Sequence, residues 1–354
     1  MKASMGHRER LLRSVERRDI DRPAAFFRAE PCVRRRLCEE LRLEDDAKLA
    51  EYFGADAVHI GVPYRRELLR QSDEPDTFYG IFGSKFRNVS YGDISSEVVV
   101  EPVLAGGAGD IDSVPWPGPE LLDLPRAERE ASQARESGLA VYGGVWASIF
   151  SHSRFMLGEE EYLVSLVSRP KFIARLVERL TDCYLELNQA YLSRCAKYLD
   201  IYYFGSDFGA QDSMFVSRPM FTDIFKPNLK RIADQAKGFD LKVMYHTCGA
   251  VREIIPDLID CGVDILDPVQ VSARGMEPAE LARDYKGRIG FHGGISTQQS
   301  LPSGTPDEIE MEVRRAIDTL GPLGYIVSPD QDLISDVPTA NIEALFRAVR
   351  EYRI

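Results

Sequence analysis

From Ala24 onward the chain repeats one local pattern: a short apolar or β-prone run, a turn, then a segment with helical spacing of apolar residues. The runs are 24–27, 56–61, 140–144, 199–205, 241–246, 263–267, 288–293 and 324–328. Helical segments fall at 33–41 and 49–53, then at 159–187, 219–237, 251–260, 278–284, 306–320 and 339–352, with a short one at 9–15 ahead of the first run. Two parallel strands need a long crossover between them, so strands that alternate with helices imply a parallel sheet. Eight such units predict a closed (β/α)8 TIM-type barrel. An open doubly wound sheet is the rival, but no Gly-x-Gly-x-x-Gly loop follows the first run. The 354 residues suffice for one barrel, which takes about 250.

One stretch breaks the rhythm. Between Tyr64 and Leu124 lie Tyr79-Gly80-Ile81-Phe82-Gly83, then Asn88-Val89-Ser90-Tyr91-Gly92-Asp93 and Glu97-Val98-Val99-Val100-Glu101. β-prone pieces punctuated by turn residues predict an inserted hairpin or small sheet over 64–124, within a single barrel over 1–354. Pro115-Trp116-Pro117-Gly118-Pro119 reads as its linker.

Composition removes several function classes. A net charge of -12 opposes binding to nucleic acid or to an anionic membrane, both of which need a basic surface. No apolar run approaches the ~20 residues of a membrane span. Residues 1–18 are basic and lack an apolar core, so they do not read as a secretory signal. Six scattered cysteines suggest no disulfide framework, and a reducing cytoplasm is expected. Cys32, Cys38, Cys183, Cys195 and Cys261 read as packing residues.

In a parallel barrel, functional groups gather where the strands end. Those ends carry Arg28, Gly61, Gly144 with Trp146, Ser206 with Asp207, His246 with Cys248, Gln270, His292, and finally Ser328, Asp330 and Gln331. His246 and Cys248 stand two apart on an extended chain, so both point the same way. Imidazole and thiolate together suit a borderline-soft ion such as zinc. Each residue also has a plainer reading. His246 and Cys248 would serve as a bonded core histidine beside an inert thiol, Asp207 as a helix cap, Arg28 as a partner of Glu30, and His292 as a satisfied strand-end histidine.

The stretches His246-Thr247-Cys248-Gly249-Ala250-Val251-Arg252, Asp264-Ile265-Leu266-Asp267-Pro268-Val269-Gln270 and Phe291-His292-Gly293-Gly294-Ile295 resemble the uroporphyrinogen decarboxylase superfamily. So does Ser328-Pro329-Asp330-Gln331 through Asp336-Val337-Pro338, Asn341-Ile342 and Ala344-Leu345. The resemblance covers nearly the whole chain and is strongest from Leu199 to Tyr352. It implies a (β/α)8 barrel with the active site in its mouth. Decarboxylases of this superfamily carry an Arg-rich segment after the first strand and an essential Asp after the second. Arg28 fits the first arginine, but Gln-Ala-Gly-Arg does not follow it, and the second strand ends in Ile60-Gly61-Val62-Pro63 without an Asp. The superfamily's corrinoid-linked methyltransferases hold zinc through His-x-Cys and a later Cys. His246 and Cys248 match the pair, and Gln331 stands at the third position.

The resemblance therefore implies a zinc-dependent methyltransferase acting on a small molecule, with a corrinoid carried by a separate protein, and a homodimer as a further expectation. His246, Cys248, Gln331 and Asp330 are the expected metal residues. Asp207, Arg28 and His292 are expected in catalysis, and Trp146, Gln270, Gly293 and Tyr203 against the substrate. Cofactor-independent decarboxylation of a tetrapyrrole is the alternative, with Arg28, Arg154 and Arg274 as its candidate cations. A catalytically lapsed binding barrel is the non-enzymatic one.

Overall fold

The computed structural model describes residues 5–91, 94–106 and 110–354, so Gly92 and Asp93 of the second inserted piece lie outside the described residues. Its strands are β1 (Ala24–Ala25), β2 (Ala57–Ile60), β3 (Thr77–Tyr79), β4 (Lys85–Tyr91), β5 (Ile94–Glu101), β6 (Ala140–Gly143), β7 (Ile201–Gly205), β8 (Lys242–His246), β9 (Ile265–Val269), β10 (Gly290–Ile295) and β11 (Tyr325–Pro329). Eight of them form one parallel sheet in the order β1-β11-β10-β9-β8-β7-β6-β2. Its two edges meet where Asp56 N–H donates to Ala25 O at 2.8 Å. The fold is a (β/α)8 barrel.

Period two along each strand sorts the side chains. Ala24, Ala57, Ala140, Tyr142, Ile201, Met244, Ile265 and Ile326 pack together inside the barrel with Phe26, which follows β1, and Leu11 and Val15 of the helix His7–Val15 pack against them. The alternate residues, such as Val141, Tyr202, Val243, Leu266, Phe291 and Val327, belong to the core shared with the surrounding helices.

Aspartates precede three strands and repeat one device that the sequence reading did not detect. Asp56, Asp200 and Asp264 accept the backbone N–H of Ala25, Val141 and Val243 at 2.9, 3.0 and 2.7 Å. Each returns its own N–H to the carbonyl of that same residue at 2.8 Å. Cations neutralise them: Arg10 and Arg22 at Asp56, Arg8 and Arg135 at Asp200, Lys237 at Asp264. Strand starts are thereby pinned to their neighbours at one end of the barrel.

The helix Leu124–Glu136 was not anticipated, although Asp123 caps it by accepting from Arg126 N–H and Pro125 stands in its first turn. The long helix expected over 159–187 is two helices, Glu159–Ser168 and Pro170–Cys195. Pro170 fits the first turn of a helix but not its interior, so it separates them. Between β2 and β6 in the chain, β3, β4 and β5 form a three-stranded antiparallel sheet. It packs on the helix Ile149–Leu157 through Phe82 and through Ser84 Oγ, which donates to Phe155 O at 3.1 Å. Among the described residues no helix is long and apolar enough to cross a membrane.

Candidate functional site

The parity that buries Ile201, Met244 and Ile265 brings Tyr203, His246 and Asp267 inward two residues later, and His292 follows Gly290 in the same way. The layer above the apolar interior is therefore polar. It surrounds a cavity of about 360 Å³, lined also by Phe26, Arg28, His59, Tyr142, Trp146, Gln331 and Asp332. Gly205 allows this layer to assemble, because a Cβ there would sit 2.2 Å from His246 O.

Asp267 is its hub, and it is fully buried. Oδ2 accepts from His246 Nδ1 at 2.7 Å and from Tyr203 OH at 2.6 Å. Oδ1 accepts from His292 Nδ1 at 2.6 Å and from Arg28 Nη1 at 3.3 Å. Burial alone would favour its neutral form. The interactions with His292 and Arg28 and the bond from His246 outweigh that and hold the carboxyl well below the usual range. Arg28 is fixed between this carboxylate and Asp332, with Nε 3.3 Å from Asp332 Oδ1.

On the other side of His246, one atom each from Asp207, His246 and Cys248 lies within 4.8 Å of the others. Asp207 Oδ1 is 3.3 Å from His246 Nε2 and accepts from Cys248 Sγ at 3.2 Å and Cys248 N–H at 3.3 Å. Burial would raise the Asp207 carboxyl, but His246 and the two Cys248 donors hold it down at about 2. Burial lowers His246, yet Tyr203, Asp207 and Asp267 together raise it well above an ordinary imidazole. Burial leads in pushing the Cys248 thiol up. Nitrogen, sulfur and carboxylate oxygen on one small volume is a donor set that fits a zinc ion. The bond from Nδ1 to Asp267 is the outer-shell contact that metal-binding histidines usually make.

The remaining residues divide clearly. Trp146 meets Tyr203 edge-on, with ring centroids 5.2 Å apart, and lies 5.8 Å from the His246 ring. Gln270 Oε1 accepts Gly249 N–H at 2.7 Å, behind Cys248 rather than in the cavity wall. Gly293 has φ +98°, and a Cβ there would meet Pro268 Cβ at 3.1 Å. Gln331 lines the cavity. Asp330 stands outside the three-residue cluster, fully buried, with Oδ1 accepting from Thr297 N–H and Oγ1 at 2.9 and 2.8 Å. Ser206 is spent on the helix Ile149–Leu157, accepting Phe150 N–H at 3.0 Å.

Asp267, His59 and Tyr142 were not singled out from sequence as site residues. The signal for Asp267 was an acid two residues beyond Ile265 in an otherwise apolar run. His59 opens to the cavity, yet the surrounding barrel and then the Arg28 charge lower its imidazole to about 4. The buried Tyr142 hydroxyl and His292 Nε2 have no partner among the described residues.

The sequence profile of the uroporphyrinogen decarboxylase family matches residues 110–352. The chain belongs to that family. Its curated relatives include a methionine synthase of Methanothermobacter thermautotrophicus, 27% identical over 95 residues, or 27% of this chain and 30% of the relative. A methylcobamide:CoM methyltransferase, MtaA, of Methanosarcina barkeri is 28% identical over 134 residues, or 38% of each chain. This family member thus spans about a third of the length of the curated relatives it matches. Among solved structures, a methyltransferase from Methanosarcina mazei superposes with a TM-score of 0.72 at 17% identity, covering 98% of this chain and 99% of that one. At that identity the likeness concerns the fold.

Proposed function

We propose that this family member is a zinc-dependent methyltransferase that moves a methyl group between a small methylated substrate or acceptor and a corrinoid protein. The observation that carries the reading is the convergence of Asp207, His246 and Cys248 at the barrel mouth. The two curated relatives, named as a methionine synthase and a methylcobamide:CoM methyltransferase, support the same chemistry.

His246 Nε2, Cys248 Sγ and a carboxylate oxygen of Asp207 would hold the ion, with the Gln331 amide as a neutral oxygen along the same cavity. When bound, zinc supplies Lewis acidity toward the heteroatom that gives or receives the methyl group. Asp207 is thereby assigned to the metal, while Asp330 is assigned to fastening Thr297. Trp146 and Tyr203 wall the cavity and exclude water. Arg28 holds a fixed positive charge beside the substrate, and His292 offers Nε2 to a substrate hydrogen bond. The corrinoid protein docks over the mouth, where the cavity opens. The six free cysteines support a reducing compartment, the cytoplasm.

Decarboxylation of a polycarboxylate has less support. Arg28 and Arg34 are the arginines that line the cavity, and Arg28 is committed to Asp267 and Asp332. Arg154 pairs with Glu159 and, like Arg274, is outside the cavity lining.

Purified protein loaded with zinc is incubated with methylcobalamin and a panel of thiol, hydroxyl and amine acceptors, and in the reverse direction with methylated compounds and cob(I)alamin. Loss or gain of the methylcobalamin absorbance, abolished in Cys248→Ala, is the expected result. A wild-type chain that binds no zinc overturns the reading, as does an unchanged rate in Cys248→Ala.

A further inference from the structure

We propose that Asp267 is the positioning residue of this site: a single carboxylate that fixes the orientation and tautomer of two imidazoles, one for the metal and one for the ligand. The His246 half rests on the zinc reading above, whereas the His292 half stands on geometry alone.

Four groups converge on Asp267: His246 Nδ1 and Tyr203 OH on Oδ2, His292 Nδ1 and Arg28 Nη1 on Oδ1. An ionised carboxylate only accepts, and it offers about four lone-pair sites, so its capacity is filled. Both Nδ1 atoms must therefore carry the hydrogen. In a neutral ring bonded this way the lone pair lies on Nε2. For His246 that atom faces Asp207, in the cluster with Cys248, where a metal ion would take the place of its proton. For His292 it is an acceptor on a side chain that is 1% exposed, has no partner among the described residues, and belongs to a ring in the cavity wall.

A buried acceptor left unbonded costs about 1–3 kcal/mol. His292 Nε2 is thus a place for a donor brought in by the ligand, and the ligand class is a small molecule with a hydroxyl, thiol or amine hydrogen. Asp267 touches neither the ligand's donor nor the ion in this arrangement. It acts through the two rings.

The test uses zinc alone as the probe, with the metal-free full chain as its partner measurement. Asp267→Asn presents an amide N–H to one ring and disrupts its bond. Zinc affinity, measured by chelator competition, is expected to weaken about 10–100-fold. Nitrogen-15 NMR of metal-free wild-type protein is expected to show neutral His292 protonated on Nδ1 and bare on Nε2. In Asp267→Asn that tautomer should lose population.

Equal zinc affinity in wild type and Asp267→Asn overturns the His246 half. A wild-type His292 protonated on Nε2 overturns the other half, and this measurement needs no folded variant. Wild-type protein that binds no zinc defeats the zinc reading itself and leaves the His292 result to stand or fall on its own spectrum.

Discussion

The two ends of the barrel each bury an aspartate completely, and they use it in opposite ways. At the end where strands begin, Asp56 meets Arg10 Nη1 at 2.6 Å, Arg22 Nη1 at 2.9 Å and His7 Nδ1 at 2.9 Å, and accepts Ala25 N–H at 2.9 Å. Both arginines are finished elsewhere: Arg10 by Asp21 and Met5 O, Arg22 by Pro23 O and Gly54 O. At the end where strands finish, Asp267 also gathers cations, but its partners stay unfinished. His292 Nε2 is unbonded, and His246 leads on to Asp207 and Cys248 beside a cavity. A buried charge by itself therefore does not mark a functional site. Partners left with an unbonded polar atom in the wall of a cavity do.

The largest expected effect would break the comparison at its structural end. Asp56→Ala strands two arginines and opens the seam between β1 and β2, so urea unfolding should show a loss of about 3–5 kcal/mol. Zinc affinity of the folded fraction should be unchanged. A loss below about 1 kcal/mol would mean that Asp56 does not pin the barrel.

At the functional end, ion binding should appear as stability. Zinc at about 100 times its Kd adds about 2.7 kcal/mol by mass action, read as a rise in the unfolding midpoint. Cys248→Ala should show none of it, and an equal rise in that variant would place the ion elsewhere. Gln270→Leu sharpens the picture of the turn behind Cys248. It removes the acceptor of Gly249 N–H and should cost about 1–3 kcal/mol, with weaker zinc binding as the Cys248 backbone shifts. Smallest of all is Asp332→Asn. Its carboxylate is 44% exposed, so the bridge to Arg28 should contribute less than about 1 kcal/mol. A larger loss would show that Arg28 is held from the rim rather than by Asp267.

Much of the fold is legible locally. Each run read as a barrel strand overlaps an observed strand, because a barrel strand is a short apolar segment bounded by turn residues. Less legible were the breaks: Pro170 divides a continuous helical pattern, and the helix Leu124–Glu136 has alanines rather than large residues on its buried face. At the site, Asp207, His246 and Cys248 stand together, and Arg28, His292, Trp146, Tyr203 and Gln331 line the cavity. In the strands of Asp267 and His59 the residues after the run, Gln270 and Gly61, read as the strand ends, while the inward position that reaches the cavity lies before them.

The sequence by itself determined that strands alternate with helices, and hence that strand ends of one kind share a face. It also set the inward parity of each strand, and the pairing of an imidazole with a thiol two residues on. Only the tertiary structure decided which inward residues meet. Arg28 and Asp267 are 239 residues apart, and Asp207 and Cys248 are 41 apart. Those meetings depend on how neighbouring strands are staggered around the closed barrel, and periodicity within one strand carries no record of its register against the next.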